Sequence, residues 1–480
     1  MENQAKTTGK NSFKLNYRRT FLIGFAFFGI LLLWQVYDSW CPTFLTELFK
    51  EALHSEESTE VQYLVGIMMA LDNLAALILL PIFGHLSDKT HTRIGKRMPY
   101  ILAGTFVCAV SFPFVPVLFH YHNLAGVIAM MAIIVIFSMM YRNPAVSLMP
   151  DMTPKPLRSK ANGIINIMGY LGGACATLVG LIFVLTEYVK GWSDGPSNCN
   201  IWTIEMPFLI ASILMLVSAL VLFFTVKENK IEKEMEPEMR RGEEEAELTD
   251  KVSDDAPLSK ANRTMLFLIL GAEFFWFMAD NGIGTFMSNY TLYYLQSSSK
   301  GAMINTIVGG VGSVIGFALG GLIASKIGRK WTVVGGLSIA LLSVTAWMIL
   351  TFSIPVVASS GKFDNPFPVW IYVIWFFKGF GMSLVHVNSY PMVVELCTGK
   401  KVGAYTGYYY ASSMAAQTIT PIALGALLFA LGSSDAWKFL PLYAAVCLGI
   451  SFLIFLFIKN VKNTKTEFKY GLEGIGADED

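Results

Sequence analysis

FLIGFAFFGILLLWQVYD occupies residues 21–38 of a 480-residue chain. Seventeen residues, almost all aliphatic or aromatic, lead to the carboxylate of Asp38. Extended to about 20 helical residues, such a run crosses a hydrocarbon core of about 30 Å. An ionised carboxylate inside that core costs about 3 kcal/mol or more against lipid, so Asp38 must face protein or a water-filled cavity. The acid in the oil is therefore the first candidate functional residue.

The same pattern of long apolar blocks cut by short charged stretches runs through the chain. Apolar residues make up 54% and charged residues 15%, against about 25% charged in soluble domains. This predicts an all-α membrane protein with spans at 20–47, 62–86, 98–119, 123–149, 161–187, 204–226, 264–294, 302–325, 331–353, 368–394, 402–431 and 439–458. The net charge of +1 argues against a nucleic-acid partner. The six cysteines (Cys41, Cys108, Cys175, Cys199, Cys397, Cys447) lack metal-ligand spacing and read as packing residues. No metal site and no cofactor is expected. The tail MENQAKTTGKNSFKLNYRR is not followed by a short apolar core with a cleavage site, so the first span is expected to be retained.

Lys and Arg set the expected orientation. The two tails and the loops after even-numbered spans hold 29 of the 36 basic residues; five lie in the opposite loops and two, Arg142 and Lys378, lie within spans. By the positive-inside rule both termini are cytoplasmic. Residues 227–263, rich in mixed charge, read as a mobile cytoplasmic linker. The expected organisation is a tail at 1–19, a six-helix bundle at 20–226, that linker, a second six-helix bundle at 264–458 and a tail at 459–480.

The halves echo each other. WQVYDSW at 34–40 is matched by WFMADNG at 276–282, so Trp-x3-Asp recurs 242 residues later. Asp151, ending the fourth span, is matched by Glu395, ending the tenth, 244 residues on. Gly84, Asp88, Arg93, Gly95, Lys96 and Arg97 between spans two and three are echoed by Gly321, Lys326, Gly328, Arg329 and Lys330 between spans eight and nine. Repeats of this kind build transporters whose halves rock around a central site.

Two six-helix halves, a charged central linker and the loop GHLSDKTHTRIGKR resemble the major facilitator superfamily. More narrowly, PIFGHLSDKTHTRIGKRMPYILAG and MPDMTPKPLRSKANG resemble the glycoside–pentoside–hexuronide:cation symporters, on the branch that includes plant sucrose transporters. The melibiose-type branch carries two acids on its second span that help bind sodium; here MALDNLAALILLPIFG offers only Asp72. The loop residues Gly84, Asp88, Arg93, Gly95, Lys96 and Arg97, with Asp151, Arg158 and Glu395 at other helix ends, read as a conformational latch. In that reading Asp88 caps a neighbouring helix or pairs with a cation of the other half. The bland alternative is that these cations only mark the cytoplasmic side.

Ionisable residues well inside spans are Asp38, Asp72, Arg142, Glu273, Asp280, Lys378 and His386. All but Asp72 fall on spans one, four, seven and ten, the cavity-lining set of the resembled fold. A rise of about 1.5 Å per residue puts Asp38 and Asp280 about 25–29 Å from the basic ends and Arg142 and His386 about 14 Å up. That spacing predicts two charge layers and argues against an Asp38–Arg142 bond. Trp-x3-Asp places a ring and a carboxylate on one helix face. Sugars need both, a carboxylate for hydroxyls and a ring for the apolar C–H face. Trp34, Asp38, Arg142, Asn143, Trp276, Asp280, Asn281, Lys378, His386 and Asn388 are therefore the expected substrate contacts. Asp38, Asp280 and His386 are the candidates for proton coupling.

The expected function is import of a sugar, a disaccharide or glycoside such as sucrose or maltose, by proton symport through alternating access in the plasma membrane. The expected protein is a monomer embedded in the bilayer and not an enzyme. The alternatives are an uncoupled or sodium-coupled facilitator and a membrane sensor.

Overall fold

The computed structural model describes residues 14–154, 157–192, 199–250, 260–354, 356, 363–396 and 402–458. Among these, twelve helices are long and apolar enough to cross a membrane. They are α1 (Tyr17–Leu53), α2 (Gln62–Lys89), α3 (Met98–His120), α4 (Leu124–Asp151), α5 (Arg158–Ile182), α6 (Trp202–Thr225), α7 (Lys260–Asn289), α8 (Ser299–Ile327), α9 (Arg329–Ser353), α10 (Val369–Glu395), α11 (Val402–Leu431) and α12 (Phe439–Phe457). Helix starts follow local chemistry. Asn16 accepts from the Arg19 N–H at 3.1 Å and Asn123 from the Gly126 N–H at 2.8 Å, each satisfying a first-turn donor. Gly328, at φ 85°, turns the chain between α8 and α9.

The buried apolar residues form two cores. One runs from Ile23 to Val226 and takes in Leu292 and Phe363; the other runs from Leu266 to Ile458. Each set of six helices thus packs around its own centre, and the sets meet where α1 faces α7, α2 faces α11 and α5 faces α8. Side chains such as Leu77, Ile78, Phe106 and Leu342 point outward, as in a bundle solvated by acyl chains. The two ends of the bundle differ. One carries the basic loops after even-numbered helices and is called here the basic end; the other is the far end.

Two expectations change. The fifth span stops at Ile182, and Leu185–Trp192 forms a separate short helix at the far end. Residues 228–250 of the linker form a helix rather than a mobile loop. Its charge-rich sequence hides what orders it. Glu228 is anchored on the first half, Ile231 packs against that half's core, and Met235 is buried.

Candidate functional site

A cavity of about 550 Å³ lies between the two sets of helices. From the first half, α1 presents Trp34, Gln35, Asp38 and Ser39, α2 presents Asp72 and Asn73, and α4 presents Arg142. From the second half, α7 presents Asp280, Asn281, Thr285 and Ser288, α8 presents Thr306 and Ser313, α10 presents Trp375 and Lys378, and α11 presents Gln417. Positions 34, 35, 38 and 39 share one helix face because residues three and four apart are neighbours. The Gln35 amide donates to Ser39 Oγ at 3.1 Å, which holds both polar groups on that face.

The charges are arranged unequally. One oxygen of Asp280 is ion-paired with Lys378 Nζ, and the other lies 3.6 Å from His386 Nε2. Asp280 thus ties together two side chains eight residues apart on α10. Opposite, Asp38 is exposed, and its exposure is to the cavity rather than to lipid. The charge of Arg142 acts on Asp38. Trp375 adds an indole face to the wall and is held edge-on against Trp347, with ring centroids 4.9 Å apart.

The far end is sealed by contacts between the halves. Asn289 of α7 accepts from Thr43 Oγ1 at 3.1 Å and donates to Thr46 Oγ1 at 2.9 Å and Gln62 Oε1 at 3.2 Å. Tyr293 donates to Glu47 at 2.6 Å, Trp437 donates to Ser58 at 3.1 Å, and Lys190 reaches Asp364 at 2.6 Å. The hydrogen bond to Asp364, with the charge of Glu187 added, holds Lys190 above its ordinary pKa.

A family model for the Major Facilitator Superfamily matches residues 23–363 and 269–477. The chain belongs to the major facilitator superfamily. Its fold is shared by a peptide transporter POT solved with sulfate, at 14% identity over 92% of this chain and 93% of that one, TM-score 0.59. A POT family transporter solved with 5-aminolevulinic acid matches at 14% identity over 92% and 96%, TM-score 0.60. A bacterial homolog to the human lysosomal transporter Spinster, in an inward-facing and occupied conformation, matches at 15% identity over 91% and 96%, TM-score 0.60. No curated protein matches the sequence.

In this major facilitator protein six of the ten expected substrate contacts line the cavity: Trp34, Asp38, Arg142, Asp280, Asn281 and Lys378. Four are elsewhere. Trp276 is fully buried in the second core, against His386 and Phe455. His386 stands behind Asp280 and packs on Phe277. Asn143 donates to the Leu80 carbonyl at 2.5 Å and bridges α4 to α2. Asn388 donates to the Leu384 carbonyl at 2.9 Å within α10. The two expected charge layers merge, because Asp280 touches both Lys378 and His386. Arg142 also shares the cavity wall with Asp38 despite the depth argued from sequence. At 37 residues α1 is about 55 Å long, far longer than the hydrocarbon core, so depth counted along its axis overstates depth in the membrane.

Gln35, Ser39, Asn73, Thr306 and Ser313 also line the cavity, and none is among the expected contacts. Gln35, Ser39 and Asn73 carry the signal of a neutral polar group beside Asp38 or Asp72, whereas Thr306 and Ser313 have no acid near them in sequence. Asp72 lines the cavity although α2 is outside the four expected lining spans.

At the basic end the loop before α3 is a packed cluster within the first half. Arg97 pairs with Asp88, donates to Asp151 at 2.9 Å through Nε and reaches Ser87 Oγ at 2.5 Å. Lys96 lies 3.3 Å from both Asp151 and Glu232. Partial burial opposes its charge, but these two carboxylates outweigh burial and hold its pKa above the ordinary lysine value. The Glu228 carboxylate accepts the main-chain N–H groups of Lys96, Arg97 and Met98, at 3.0 Å for the closer oxygen to each. It thereby caps the N-terminus of α3. Gly95 sits at φ 126° directly against Glu228, where a side chain would collide with the carboxylate. Arg158 donates to the Thr153 and Pro150 carbonyls at 3.1 and 3.0 Å. Asp88 thus pairs within its own half in this conformation, instead of with a cation of the other half. The side chain of Glu395 lies outside the described residues, as do Lys400 and Lys401.

Proposed function

We propose that this major facilitator protein imports a sugar, a disaccharide or glycoside such as sucrose or maltose, by proton symport with alternating access. The observation that carries the reading is the cavity wall itself. It sets carboxylates and amides (Asp38, Asp280, Gln35, Asn73, Asn281) beside the indoles Trp34 and Trp375. Its volume of about 550 Å³ falls within the usual range of small-molecule sites, about 300–1,000 Å³. Carboxylates accept paired hydroxyls, and indole faces cover sugar C–H surfaces. The resemblance to the glycoside–pentoside–hexuronide:cation symporters supports the same substrate class.

The two acids have different roles in this reading. Asp280 is engaged by Lys378 and His386, so proton loading there must break an ion pair. Asp38 opens into the cavity and is the proton carrier, while the Asp280–Lys378 pair orients the sugar. Arg142 keeps its charge throughout and either binds substrate or competes for Asp38. The two cores are the rocking units, both termini are cytoplasmic, and the protein works as a plasma-membrane monomer. With the basic end cytoplasmic, the sealed far end closes the outer side, as an inward-facing state of the alternating-access cycle requires. The Arg97–Asp88–Asp151 cluster keeps the first unit rigid at that end as the halves move.

Uptake of labelled sucrose and maltose into vesicles tests the reading. An acidic exterior should drive accumulation, and Asp38→Asn should abolish accumulation while keeping sugar exchange. Accumulation by Asp38→Asn at the wild-type level contradicts Asp38 as the carrier. Flux driven only by sodium, or indifferent to both ions, points to the sodium-coupled or uncoupled facilitator. Absence of any flux points to a sensor.

A further inference from the structure

Helix α11 contains Pro421 in its interior. Proline has no N–H, so the carbonyl four residues earlier, that of Gln417, loses its helical partner. The neighbouring carbonyls are served locally: Thr418 donates to Met414 O at 2.9 Å and Thr420 to Ala416 O at 2.7 Å. The Gln417 carbonyl is served from the other half of the protein. Asn73 of α2 gives it an Nδ2–H at 3.2 Å.

About two turns along α2 from this contact, the two helices pack tightly at Gly66 and Pro421. A side chain at Gly66 would run into the Pro421 main chain, so α2 and α11 meet backbone to backbone. Asn73 and Gln417 also both line the central cavity, with Asp72 next to Asn73. An unpaired carbonyl inside a span is costly. The donor that removes this cost stays in place only while α2 lies against α11. The remaining hydrogen-bonding capacity of the Asn73 amide, one N–H and its oxygen, is available to a ligand.

We propose that Asn73 is a positioning residue that links cavity occupancy to the Pro421 break in α11. Its hydrogen bond to Gln417 holds the far end closed, and a sugar hydroxyl that takes this N–H in place of the Gln417 carbonyl releases that hold. The proposal rests on the rocking halves of the reading above, which sugar flux tests on its own.

The test is a mutant cycle read by distance. Spin labels replace Tyr121 in the first half and Ser433 in the second, both exposed at the far end, in a chain whose six native cysteines are replaced. Pulsed electron–electron resonance then reports how far the far end opens. Asn73→Leu keeps the side-chain size and removes the donor. It should raise the population of long distances about fivefold, the equivalent of one ordinary intramolecular hydrogen bond. Pro421→Ala gives the Gln417 carbonyl a main-chain partner, so Asn73→Leu added to it should shift the distribution less than half as far. Asn73→Ala carries the same cycle if the leucine variant does not fold. The proposal is overturned if removing the donor leaves the distances unchanged, or shifts them equally with and without Pro421.

Discussion

Removing Asp280 and Lys378 one at a time should hurt the protein more than removing both. Their carboxylate and ammonium are paired with side-chain exposures of 24% and 16%. Removing one partner of a fully buried pair costs about 3–5 kcal/mol, because the other charge is left without compensation. The cavity face solvates part of this pair, so the expected cost is about 2 kcal/mol for Lys378→Met. Asp280→Asn should cost more, since His386 at 3.6 Å loses its carboxylate as well. The double variant removes both charges and should recover about 3 kcal/mol relative to the sum of the singles, more than the cost of either one, which leaves it more stable than both. Reversible unfolding by dodecyl sulfate in mixed micelles measures all three. If the single costs simply add, or if the double variant is the least stable, the pair is not the electrostatic unit described here.

Further outcomes are expected at Glu228 and at the two tryptophans. Glu228→Ala leaves three main-chain donors at the start of α3 without their carboxylate, at a cost of about 1–2 kcal/mol read by the same unfolding assay. Burial, acting against those three hydrogen bonds, holds the Glu228 carboxyl above its ordinary value. The folded chain therefore keeps that proton to higher pH than the unfolded chain, so stability should fall as pH rises above about 4.3, and Glu228→Gln should flatten that slope. Trp34 and Trp276 should separate by readout. Trp34→Phe is expected to raise the KM for sugar with little change in stability. Trp276→Phe, in the core, should lower stability by about 1 kcal/mol with KM unchanged.

The fold was legible because membrane spans are written in long apolar runs that nothing else in a sequence resembles. The acids of the site were legible for a related reason. Asp38 and Asp280 stand out against their surroundings and repeat 242 residues apart. What the sequence did not reveal is which way a side chain points. Trp276 repeats Trp34 in sequence, yet one is in the core and the other on the cavity wall. The repeat conserves helix position, while the packing of each half decides the facing side. The linker helix was illegible because its order comes from contacts with the first half, among them the Glu228 carboxylate docking on main chain 131 residues away, which no local pattern encodes. Asn73 is not among the expected contacts because it lies on α2, outside the four expected lining spans. Only the structure places it opposite the carbonyl that Pro421 leaves open.

In the proposed function this major facilitator protein moves a sugar together with a proton. Purified protein in sealed vesicles, offered labelled sucrose and maltose with pH and sodium gradients imposed independently, tests it most directly. Proton symport gives accumulation above the external concentration when the outside is acidic, abolished by a proton ionophore and indifferent to sodium. Uptake that ignores the pH gradient, or no uptake of either sugar, would contradict it.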